Sequence, residues 1–164
     1  MKNNNILKVV LANIEEIISG GFLIFTTVLV IINVFMRYFL NTGLYWTEEV
    51  ATGSFVWAVF IGAVAGFKRH QHIGVDFLLV RLPQGIQKIV RFFVDIMILA
   101  INGYLTYLSV IFIRESHIKP TPVLGISSAY ISAALFISFF LMTVYSVIFL
   151  VQNLTRKGSM EKGV

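Results

Sequence analysis

The chain of 164 residues has no cysteine, and Asp, Glu, Lys and Arg together make up only 13% of it. Without cysteine there is no disulfide framework, thiolate zinc site, iron–sulfur cluster or cysteine nucleophile. The redox compartment stays open, because a membrane chain need not use disulfides. A soluble domain normally carries ~25% charged and ~45–50% apolar residues. Here 57% of residues are hydrophobic and the mean hydropathy is +0.85, so too few charges remain to cover a water-facing surface. Catalytic motifs are missing as well: there is no phosphate-cradling glycine loop, no His-Glu-x-x-His and no Gly-x-Ser-x-Gly. The formal net charge is +5, but its Lys and Arg are scattered between apolar runs and do not form the dense patch that nucleic acid requires. Lipid is the solvent these absences point to. The length then leaves a single membrane domain over residues 1–164 and no separate catalytic module.

What is present is four stretches without a charge: 17–36, 50–67, 96–113 and 123–151. A hydrocarbon core ~30 Å thick takes ~20 apolar residues of helix. The first three fit once their flanks are counted. The fourth is too long, so its start at 125–128 or its end from Tyr145 onward belongs at the interface. No ten-residue alternation of a transmembrane barrel appears. The expected fold is an all-α integral membrane protein with four transmembrane helices. The first span is too long for a signal-peptide core and ends at Arg37 without a cleavage site, so it is read as retained. Upstream of it, Leu7, Leu11, Ile14 and Ile18 recur at helical spacing, as in a helix entering from the interface.

Lys and Arg set the orientation. One side of the membrane collects Lys2, Lys8, Lys68, Arg69, Arg81, Lys88, Arg91, Arg156, Lys157 and Lys162; the other has Arg37, Arg114 and Lys119. Both termini are therefore expected in the cytoplasm.

Between the first two spans, Asn41-Thr42-Gly43 supplies a turn. Tyr38, Tyr45 and Trp46 suit an aromatic belt. Thr47 can cap the second helix, with Glu48 and Glu49 in its first turn. Arg37 leaves the membrane at the same depth, and pairing with Glu48 or Glu49 is expected. A cation site or a contact with a partner is the alternative use of these groups. In the second span Ser54, Ala58, Gly62 and Gly66 form a stripe of small residues where another helix can approach closely. Gly125, Ala129 and Ala133 repeat the spacing in the fourth.

The middle loop runs from Lys68 to Asp76 and leads into an amphipathic arm over about 75–91, opened by Pro83, with Gln84, Gln87, Lys88 and Arg91 on its polar face. Such an arm lies in the headgroup plane. His70 and His72, with Asp76 as their only near acid, fall short of the three or four ligands zinc takes. No histidine lies in an uncharged span, so a haem held within the bundle is not expected. Asp95 is the deepest charge, one turn into the third helix, and Arg91 four residues earlier is its expected partner. Asn33 and Asn102, well inside spans, can satisfy themselves against helix backbones. Neither a discontinuous-helix substrate site nor an internal repeat is present. Composition and spacing thus lead to a scaffold or interaction subunit.

Arg37-Tyr38, Asn41, Trp46-Thr-Glu48-Glu49, an apolar helix, and then Lys68-Arg-His-Gln-His72-Ile-Gly-Val-Asp76 together resemble the small membrane subunit of TRAP (tripartite ATP-independent periplasmic) transporters. The specific part covers about forty residues, Arg37 to Asp76, while the four-span layout agrees over the whole chain. The resemblance implies sodium-coupled uptake of organic acids, such as a dicarboxylate or a sialic acid, across the bacterial inner membrane. A soluble periplasmic binding protein delivers the acid, and a large multi-span subunit carries it by an elevator movement. The small subunit would extend the fixed scaffold, anchor it in membrane lipid and hold no cofactor. On this basis Arg37, Trp46, Glu48 and Glu49 are candidates for the partner-facing rim, and His72, Asp76, Lys88 and Arg91 for the cytoplasmic loop and arm. The short charged tail after Leu154 points to a large subunit on a separate chain. The alternatives are a membrane anchor of a redox complex and a small homo-oligomeric channel built through Gly62 and Gly66.

Overall fold

Apolar runs of this length become helices because lipid offers no partner for backbone N–H and C=O groups, so each must be paired within its own segment. The computed structural model describes residues 13–70 and 84–160. It contains α1 (Ile14–Phe39), α2 (Tyr45–His70), α3 (Gln84–Ser116) and α4 (Ala129–Met160), all four long and apolar enough to cross a membrane. Among the described residues there is no strand, only an isolated bridge between Pro120 and Ser127.

Glu15 and Glu16 occupy the first turn of α1 and Arg37 its last, the signs that its dipole favours. The Met36 carbonyl accepts from Leu40 N and Thr42 N. Asn41 then takes the left-handed conformation at φ 51° that stops the helix. The turn therefore rests on Asn41, with Gly43 kept at negative φ. The second helix begins three residues earlier than a Thr47 cap would place it, at Tyr45. Thr47 lies inside the first turn, where its hydroxyl donates to the Leu44 carbonyl. The cap comes from across the hairpin, where Asn33 Oδ1 accepts from Leu44 N at 3.2 Å.

Of the overlong fourth run, the surplus lies at its start. Residues 123–128 belong to the α3–α4 loop and the helix opens at Ala129. The second half of the expected arm, Gln84–Arg91, forms the opening turns of α3 without a break before the span. Residues 75–83, with His72 and Asp76 before or among them, and the side chain of Lys88 lie outside the described residues.

The helices stand in a row, α1–α2–α4–α3, because α1 packs on α2, α2 on α4 and α4 on α3. Along the antiparallel α1–α2 seam Phe22 stacks on Trp57, and a Cβ on Gly62 would sit 3.6 Å from Ser19. The central α2–α4 seam is parallel: Gly53 meets Tyr130, Phe60 meets Phe139 edge-on, and Lys68 lies over the Tyr145 ring. The α3–α4 seam is antiparallel and polar. Asn153 Nδ2 donates to Asp95 at 2.8 Å, Asn102 Nδ2 donates to Ser146 at 3.3 Å, and the Thr106 and Thr143 hydroxyls meet at 3.0 Å.

Candidate functional site

Polar side chains gather at the two ends of this row. At the α1–α2 turn, Arg37 Nη2 donates to Glu48 Oε1 at 2.7 Å, and both side chains remain more than half exposed. The neighbouring Glu49 takes a different partner. Its Oε2 accepts from the backbone N–H groups of Val123 and Leu124, at 2.8 and 3.3 Å, in the α3–α4 loop. Successive residues on a helix point about 100° apart, which is why one carboxylate faces α1 and the next faces the other hairpin. Trp46, Tyr45 and Tyr38 are exposed around this rim. A cavity of about 250 Å³ lies beneath it, lined by Asn33, Arg37, Thr47 and Glu48 among apolar residues of α1 and α2.

The opposite end holds a cluster from three helices. Lys68 Nζ donates to both oxygens of Glu15, at 3.3 and 3.1 Å, and the Tyr145 hydroxyl donates to Glu15 Oε1. The Glu15 side chain is 9% exposed. Beside it Arg69 pairs with Glu16 in a far more open setting. This cluster joins α1, α2 and α4 at one point. The charges along the chain carry a signal for it. Once Arg37 faces Glu48, an antiparallel hairpin brings Glu15 and Glu16 opposite Lys68 and Arg69.

Asp95 accepts from Asn153 of α4. Asn102, placed at the sequence level against its own helix backbone, instead bonds across the seam to Ser146. Among the described residues no group of three His, Asp or Glu is placed to hold a metal.

The small-residue stripe divides. Ser54 and Ala58 are buried, Gly62 faces Ser19 of α1, and nothing lies within 4 Å of a Cβ on Gly66. Steps of four residues advance about 40° around a helix of 3.6 residues per turn, so the stripe winds off the contact. One buried stripe of α2 follows Thr47, Ala51, Ser54, Ala58, Ile61 and Ala65, alternating steps of four and three as in coiled-coil packing, and Gly53 and Val64 are buried beside it. The close approach between α2 and α4 falls at Gly53, where a Cβ would stand 2.9 Å from the Tyr130 hydroxyl. Gly125 belongs to the loop, and the fully buried positions on α4 are Ala134, Ser138 and Ser146.

Comparison with known proteins gives a family match and several relatives. A family model described as tripartite ATP-independent periplasmic transporters, DctQ component, matches residues 26–156. Over 84 residues the chain is 39% identical to a Haemophilus influenzae protein that bears the name of a TRAP transporter small permease protein, covering 51% of this chain and 52% of the relative. Over 77 residues it is 40% identical to the C4-dicarboxylate TRAP transporter small permease protein DctQ of Vibrio cholerae, covering 47% and 33% respectively. The sialic acid TRAP transporter small permease protein SiaQ of Vibrio cholerae is 25% identical over 129 residues, covering 79% of this chain and 75% of the relative. The matched stretches thus span about half or less of the length of the first two relatives.

Proposed function

Because the chain belongs to the family of DctQ components of tripartite ATP-independent periplasmic transporters, we propose that it is the fixed scaffold against which a large transport subunit moves. It is a small permease subunit and not an enzyme, and it is a multi-pass protein of the inner membrane. In this proposal the complex takes up an organic acid, a C4-dicarboxylate or a sialic acid, with sodium. A soluble periplasmic protein delivers the acid, both termini of this chain face the cytoplasm, and the chain carries no cofactor.

The observation that carries the proposal is the division between polar seams and apolar flanks. Ion pairs fasten both ends of α1 to α2, and hydrogen bonds tie α3 to α4 along their length. The outer helices meanwhile expose Ile24, Phe25, Ile31 and Phe35 on α1, and Ile89, Phe93, Ile101 and Phe112 on α3. A body tied to itself by polar contacts and presenting apolar flanks suits a stator. It is stiff internally, and one flank can pack against another membrane protein by close van der Waals fit while the other meets lipid.

The test is a gentle-detergent pull-down from the native membrane with mass spectrometry of whatever is recovered at equal stoichiometry. A large many-span subunit is expected, and vesicles holding both chains should accumulate the acid only with a sodium gradient and the soluble protein. Recovery of the chain alone, or with a cofactor-bearing redox protein, overturns the proposal.

A further inference from the structure

Each hairpin is closed by polar bonds of its own, but the seam between the hairpins is made differently. Where α2 meets α4, Phe60 packs edge-on against Phe139 with ring centroids 6.0 Å apart, and Ala58, Ile61 and Ala65 are buried on α2 and Ala134 on α4. Among the described residues, no hydrogen bond crosses to α4 from residues 50–67 of α2. Packing of this kind holds two helices together in lipid without choosing one relative height. A slide of four residues brings nearly the same helix faces together again and moves α4 by about 6 Å. Polar contacts between the hairpins stand at the two ends of the seam. At one end the Tyr145 hydroxyl of α4 donates to Glu15 of α1, while Lys68 of α2 bonds the same carboxylate and lies over the Tyr145 ring at 5.4 Å. At the other end Val123 N and Leu124 N donate to Glu49 Oε2 at 2.8 and 3.3 Å. In both places the first hairpin supplies a carboxylate and the second supplies the donors. Glu49 and Lys68 are nineteen residues apart, roughly 30 Å of helix, so the two contacts are separated by about one hydrocarbon thickness.

We propose that Glu15 and Glu49 are positioning residues that set the register of α2 against α4, one latch at each end of an otherwise apolar seam. Hydrogen bonds are short and directional, so a slide of 6 Å breaks both latches at once while the packing between them can re-form. Polar groups placed in an apolar contact set the register of coiled coils in the same way. Because α1 and α3 flank the row, the register of the two inner helices also sets the relative height of the two apolar flanks. This holds whether or not the row serves as a scaffold.

The chain has no native cysteine, so paired cysteines can report the register of the full chain in its membrane. F60C/F139C marks the observed register, and F60C/L135C and V56C/F139C mark slides of one turn in opposite directions. Each pair is oxidised in the otherwise wild-type chain and together with Y145F, E49A or both. Y145F removes the donor from α4 and leaves Glu15 paired with Lys68. The observed pair should dominate in the wild type. With both latches removed, the ratio of slipped to observed cross-links should rise about tenfold or more, the scale set by losing hydrogen bonds to charged acceptors. Each single variant should give a smaller rise, and the two rises should multiply, since a slide breaks both latches together. E48A stands on the same rim, but its carboxylate is paired within the first hairpin, so the ratio should not change. An unchanged ratio in the double variant overturns the proposal. An equal rise in E48A overturns it as well, because the change is then a general loosening. If Y145F/E49A does not assemble, Y145F/E49Q is read by the same ratio, with a smaller rise because the Gln amide oxygen still accepts.

Discussion

Glu15 and Glu48 are both carboxylates in ion pairs, yet they stand in different surroundings. Glu48 and Arg37 are more than half exposed, and such pairs contribute little to stability because water and salt already screen them. Glu15 is nearly covered and is satisfied by Lys68 and Tyr145 together, so removing one partner leaves a buried charge short of donors. K68M is therefore expected to lower stability in detergent by about 1–3 kcal/mol, and E48A by no more than about 1 kcal/mol. Thermal unfolding of the two variants checks the order, and equal losses would contradict it. At this scale the sequence was legible where two charges flank one short turn, as Arg37 and Glu48 do. It was silent on Tyr145, whose place beside Glu15 depends on α4 packing next to α2, which no spacing along the chain encodes.

Among the elements, α2 and α4 each pack against two others, α2 with α1 on one side and α4 on the other. A helix between two others buries more than one stripe, so its contact face follows alternating steps of four and three while a run of small residues four apart drifts around it. The sequence pattern located Ser54 and Ala58 on that face. It missed Gly53, because a glycine outside the repeat gives no sign of the tyrosine it faces. G53L would force Tyr130 out of its place, and overpacking of this kind costs about 1–3 kcal/mol; G66L, in open space, should be far milder. The α3–α4 seam makes a second test. N102A is expected to cost about 1 kcal/mol, and adding S146A should cost little more, since both remove the same hydrogen bond. A double-mutant cycle by thermal unfolding measures the coupling, and full additivity would show that the bond contributes nothing.

At the scale of the molecule, hydropathy carried the reading furthest. Four uncharged runs became four helices, because lipid leaves a long apolar segment no other way to pair its backbone. The order of the helices in the row was hidden, since it depends on which faces fit and not on how apolar they are. The orientation can be tested on a chain that has no native cysteine. In intact cells T42C should react with a membrane-impermeant maleimide, and T155C only after lysis; the reverse pattern would invert the topology. The row order has one more consequence, for how the protein is made. Contacts join α1 to α2 and α3 to α4, and the hairpins meet along α2 and α4, so the first hairpin needs nothing from the second to pair its own helices. It can leave the insertion machinery as a paired hairpin, with Glu15 still to gain Tyr145 from α4, while the ribosome is still translating the rest. Two separately expressed halves, divided between α2 and α3, should then find each other in the membrane and co-purify, with G53L, at the seam they share, weakening their reunion more than N102A, which lies inside one half.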